Sequence, residues 1–215
     1  MSRTRKEALD SYITDMLALE DHLEKALKGQ ITDFKDEHPE VVPHLETIHE
    51  KTRSHIAALD ALVEARGANA GTTGIAEAVK RAGSTVAGLG AAVIDMLRSE
   101  KLPKDLRDDY AAVSLAAIGY VMLLTTARAL DDASVAEVAE QHLRNYAGSV
   151  MTLTRIIPGA VVKFLQQEKL PARGDVVTDV IQTVVESWQS QSPEGSETDS
   201  DPKRRTAARP VGSRA

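Results

Sequence analysis

Apolar residues recur at helical spacing along most of this chain. Leu9, Ile13, Met16, Leu23 and Leu27 share one helix face at about 100° per residue. Ile48, Thr52, His55, Ile56, Leu59 and Leu62 share a second. Val135, Val138, His142, Tyr146, Val150, Leu153 and Ile157 share a third, and the uncharged run Ala111–Ala127 supplies a fourth. Aromatics are only 3% of the 215 residues and alanine is abundant, which suits close-packed helices better than sheets.

Glycine and proline punctuate the pattern. They predict a first helix from Thr4 to Lys28, stopping at Gly29, and a second from Pro43 to Arg66, stopping at Gly67. A Gly-rich joint and a crossover helix follow over 75–100, ended by Pro103. The "GLG" inside that crossover follows no strand, so it reads as close helix packing and not as a dinucleotide loop. A third helix spans Lys104 to Leu130, and a fourth, capped by Asp132 or Ser134, runs to Ile157. Pro158-Gly159 interrupts it before a shorter helix over 160–170, and a last helix spans Asp175 to Gln189. The expected fold is all-α: an antiparallel four-helix bundle over 1–170 with a crossover helix, then a C-terminal helical extension over 171–191. Residues 192–215 are polar and rich in Pro and Ser, and read as a disordered tail.

Several functions are set aside by composition. The chain has no cysteine, which removes disulfides, thiolate chemistry and Cys-based metal sites. A net charge of −6 argues against general nucleic-acid binding. "MSRTRKEALD" is not followed by the apolar stretch of a secretory signal. The run Ala111–Ala127 is short for a membrane span and closely flanked by Asp108, Asp109 and Arg128, so it reads as a buried bundle helix. A cytoplasmic location is expected.

One charge is out of place: Glu20 falls at the centre of the first apolar face. A buried, unpaired carboxylate costs several kcal/mol, order of magnitude, so something must face it. Counting heights from the two tight turns places Glu20, Lys51, Ala116 and Tyr146 in one layer. Met16, His55, Tyr120 and His142 fall one turn further along. Two readings follow. In the first, Glu20 pairs with Lys51 in a buried or half-buried ion pair. In the second, Glu20, His55 and His142 hold a single iron or zinc ion, or share a hydrogen-bonded layer with Tyr120 and Tyr146. The scattered His22, His38, His44 and His49 read as surface residues.

The chain resembles the ferritin-like superfamily, and most closely its YciF-type stress-protein branch. "DMLALEDHLEKAL" resembles that branch's D-L-x-x-x-E-x-x-L-x-x-A-L, with Glu20 at a metal-ligand position. "EKTRSHIAALDALVEARG" resembles E-E-T-x-x-H-x-x-x-L-x-x-x-x-x-x-G, with His55 matched and Lys51 in place of the second Glu. "VSLAAIGYVMLLTTARAL" keeps Tyr120 and the trailing Ala-x-Ala-Leu, but Val113 and Ala116 replace two glutamates. In "VAEVAEQHLRNYAG", Arg144, Asn145 and Tyr146 replace an acidic triplet. The resemblance implies a ferritin-like bundle whose di-metal site has degenerated. It leads to the expectation of a non-catalytic structural or stress-related protein with no cofactor. The alternative it implies is an iron-handling protein or oxidoreductase.

The last helix carries an apolar stripe of Val177, Val180, Ile181, Val184 and Trp188 opposite an acidic face. An anionic membrane would prefer basic residues there. The stripe is expected to dock on a second copy of the chain or on a protein partner, making a homo-oligomer.

Overall fold

In a computed structural model, residues 4–68 and 101–190 are described. They form five helices: α1 (Arg5–Phe34), α2 (Val42–Ala68), α3 (Lys101–Ala129), α4 (Ala133–Gln167) and α5 (Val176–Gln189). The protein is an all-α helical bundle. The crossover helix expected over 75–100 and the tail over 192–215 lie outside the described residues.

The helix starts follow from local chemistry. Thr4 and Glu7 make a reciprocal capping box at α1, each satisfying the other's backbone N–H. Asp132 caps α4 by accepting from the Val135 N–H at 3.2 Å. Between α3 and α4, Asp131 adopts left-handed backbone (φ 54°), which a short polar side chain tolerates. The Asp132 N–H then closes on the Ala127 carbonyl at 2.9 Å.

Three boundaries differ by three residues or more from the sequence-based expectation, each for a physical reason. α1 runs through Gly29 to Phe34, because the added turns bury Phe34. α3 starts before Pro103, since a proline in the first turn removes an amide that has no helical partner. α4 runs unbroken through Pro158 to Gln167, because Leu153 and Ala160 are both buried and hold the helix on either side of the lost bond.

Ion pairs define the two ends of the bundle. At one end, Arg66 near the C-terminus of α2 joins Asp10 of α1 and Asp132 at the start of α4, each at 2.7 Å. At the other, Lys101 at the start of α3 reaches Asp33 of α1 (2.7 Å), and Lys163 of α4 reaches Glu40 (2.7 Å). So α1 and α4 run away from the Arg66 end, and α2 and α3 run toward it. The core between them is aliphatic, with Leu9, Ile13, Leu23, Leu27, Leu45, Leu59, Leu106, Leu123 and Leu153 buried. α3 and α4 are long and apolar enough to cross a membrane by length and composition, yet both turn buried side chains into this core.

The chain divides into two compact units, Met1–Ala172 and Arg173–Ala215. α5 belongs to the second, and none of its residues is buried. Val177, Ile181 and Val184 are half-buried, and Val180 and Trp188 are exposed.

Candidate functional site: a polar layer around Glu20

Glu20 is 0% exposed, so the apolar face does carry its carboxylate into the core. Three donors meet it there. His55 Nδ1 lies 3.1 Å from Oε1, and the Tyr120 hydroxyl donates to the same oxygen at 2.5 Å. The Tyr146 hydroxyl donates to Oε2. All four described helices of the first unit therefore contribute: Glu20 from α1, His55 from α2, Tyr120 from α3 and Tyr146 from α4.

A second tier fixes these groups. Asn145 Nδ2 lies 3.1 Å from His55 Nε2 and donates to it. That leaves the proton of a neutral His55 on Nδ1, facing Glu20. Thr52 Oγ1 donates to the Ile48 carbonyl at 3.1 Å and lies 3.3 Å from the Tyr146 hydroxyl. Burial first, and then the Glu20 charge, pushes both phenols far above the ordinary tyrosine range, so both remain donors.

His142 lies over His55, with ring centroids 3.9 Å apart and planes 23° from parallel. Burial, then the neighbouring His55, pushes its pKa down to about 3, so it is neutral at ordinary pH. Its Nδ1 is buried and has no hydrogen-bond partner.

The proposed ion pair of Glu20 with Lys51 does not form. Lys51 is half-buried, and its Nζ comes within 3.9 Å of where a Cβ on Gly148 would sit. The reason is side-chain direction. Helical Cα–Cβ bonds lean toward the helix N-terminus. On α1 and α4 that lean carries Glu20 and Tyr146 toward the Arg66 end. On the opposed α2 and α3 it carries His55 and Tyr120 the other way. Two layers one turn apart thus converge into one, while Lys51 leans out of it.

The groups named for a metal do come together. One ligand atom each from Glu20, His55 and His142 lie within 4.8 Å of one another. As arranged, they do not fit an ion. Both Glu20 oxygens and both His55 nitrogens already have protein partners. The two stacked imidazoles also lie in near-parallel planes, so their in-plane lone pairs do not converge on one ion at a bond distance of about 2 Å. Val113 and Ala116, which replace the glutamates of the resembled pattern, are both fully buried, with no carboxylate to add from α3.

From the sequence, Thr52 reads only as a face residue and Asn145 only as the replacement of an acid. Their part in the layer depends on which way Tyr146 and His55 turn. His38, expected at the surface, is buried with its ring edge-on to Phe34 at 5.5 Å. His49 bonds Glu24 at 2.9 Å.

The described helices pack as an antiparallel helical bundle with a buried carboxylate–imidazole–phenol layer at its centre. A family model described as "Domain of unknown function (DUF892)" matches residues 4–166, and the chain belongs to that ferritin-like family. The chain is similar to a crystal structure of a protein from Xanthomonas campestris pv. campestris, with a TM-score of 0.60 and 21% identity, covering 77% of this chain and 99% of that one. That likeness speaks to the fold alone. No curated protein matches.

Proposed function

We propose that this protein is a non-catalytic member of the ferritin-like class, structural or stress-related, that acts in the cytoplasm by associating with copies of itself or with a protein partner. On this reading the layer around Glu20 is the remnant of a metal site of the kind found in the YciF-type branch. One observation carries it: three protein donors engage both oxygens of the carboxylate at the centre, two of them phenols held protonated. Such a layer specifies how four helices register against one another, as buried polar groups do elsewhere.

Two surfaces support association. Leu115, Ile118, Val121 and Met122 stand exposed on α3, and Val180 and Trp188 on α5. Contiguous exposed aliphatic groups of this kind mark interaction sites more often than bare solvent-facing surface.

A second reading, iron or zinc chemistry, draws on the bare Nδ1 of His142 beside Glu20 and His55. Purified protein mixed with Fe²⁺ in air tests the two. The first reading expects oxidation at the rate of buffer alone and no metal retained after desalting. A fast oxidation phase with stoichiometric bound iron would establish the second.

A further inference from the structure

Gln30 of α1 and Asp109 of α3 meet far from the Glu20 layer. Gln30 Nε2 donates to Asp109 Oδ1 at 2.9 Å. Asp109 is 3% exposed. The remaining oxygen of each side chain, Gln30 Oε1 and Asp109 Oδ2, is buried with no partner. Both are acceptors when Asp109 is ionised, and buried acceptors left unpaired are costly. A single proton removes the conflict. An amide and a carboxylic acid are complementary: N–H to one oxygen, O–H back to the other.

We propose that Asp109 is held as the neutral acid, with its Oδ2 proton donated to Gln30 Oε1, and that this two-bond clasp between α1 and α3 opens when the proton is lost to solvent. The charges around it agree. From its own helix, the carboxylates Asp105 and Asp108 act on Asp109, both unfavourable to ionisation, although Asp108 is itself paired with Arg107 at 2.6 Å. From α1 it meets the neutral Gln30, while nearby Asp33 is engaged by Lys101 at 2.7 Å. No side chain of α2 or α4 bonds or pairs with it among the described residues. Burial above all, with those two like charges, pushes its pKa up to about 7, despite the opposing Gln30 bond. The clasp would therefore respond to pH near neutrality, with no metal or ligand involved, and independently of the function proposed for the Glu20 layer.

The test uses the full chain and its Asp109→Asn variant. Asparagine keeps both bonds, because its Nδ2 can donate to Gln30 Oε1 at every pH. Infrared difference spectra taken at about pH 5.5 and about pH 8.5, either side of the proposed transition, should show a protonated-carboxyl band in wild type that vanishes at the higher pH. The variant should lack that band. Hydrogen exchange, corrected for intrinsic rate, should speed up severalfold at the higher pH around Gln30 and Asp109 in wild type and stay unchanged in the variant. Absence of the band at the lower pH would overturn the proposal, and so would identical exchange in the two proteins. Asp109→Leu, an apolar near-match in size, guards against a folding artefact: its exchange should be independent of pH, and a pH response persisting in it would place the transition elsewhere.

Discussion

Tyr146→Phe removes one oxygen from the core and leaves the ring in place. Tyr146 is fully buried, and its hydroxyl is the donor to Glu20 Oε2; among the described residues no other donor reaches that oxygen. A hydrogen bond to a charged group contributes about 1.5–3 kcal/mol, and stranding a buried acceptor adds to the loss. We expect a cost of about 3 kcal/mol. Tyr120→Phe should cost less, about 2 kcal/mol, because Oε1 keeps His55 at 3.1 Å. The double variant should depart from additivity by at least about 0.5 kcal/mol, since both hydroxyls serve one carboxylate. Urea denaturation followed by helical circular dichroism measures all three, with unchanged m-values as the check on two-state behaviour. A Tyr146→Phe cost under about 0.5 kcal/mol, or a larger cost for Tyr120→Phe, would refute this account of the layer.

His142 gives a pH prediction. Its folded pKa of about 3 lies below its unfolded value of 6.5, so the unfolded chain binds more protons between those limits. The stability of wild type relative to His142→Phe should therefore rise as pH climbs through that window and level off above it; a flat difference in thermal melts would contradict this. Asp109 has the opposite sign, its folded pKa of about 7 lying above 3.8, so Asp109→Asn should become progressively more stable relative to wild type as pH rises between those values. Arg66→Ala should cost about 1–2 kcal/mol by removing the cation that Asp10 and Asp132 share, although Asp10 keeps Lys6 at 2.6 Å and Asp132 keeps Ser134 and the Val135 N–H, and Arg66→Lys should recover only part, lacking the planar fork that serves both. Truncation after Ala172 should leave the helical melt of the bundle intact, because α5 lies in a separate compact unit; light scattering on the same sample shows whether the Val180–Trp188 face holds copies together.

Much of this was legible in the residues. The period of Leu9, Ile13, Leu23 and Leu27 places α1 and marks Glu20 as buried, which it is. The Asp132 cap needed only a short acidic residue before an apolar run. What escaped depends on three dimensions. Heights counted along helix axes paired Glu20 with Lys51, because they ignored the lean of side chains on opposed helices. Gly29 and Pro158 read as stops, but tertiary burial outweighs a local cost of about 1 and about 3 kcal/mol, while Pro103 falls in the first turn of α3, where its missing amide costs little. Asp109 is different, since its signal was present. It stands four residues before the buried Val113 and seven before Ala116, on the inner face of α3, where the reasoning applied to Glu20 would have found it.

On the proposed reading, protein donors hold the place of a metal around Glu20. Thermal melting of chelator-treated protein, with and without Fe²⁺ or Zn²⁺, addresses it most directly. An ion present at 100 times its Kd would stabilise the fold by about 2.7 kcal/mol. For a bundle of this size that is a rise of about 5–10 °C. We predict no rise beyond that of the Glu20→Gln variant under the same conditions. A rise of that size in wild type, lost in both Glu20→Gln and His142→Phe, would show that the layer opens to bind metal.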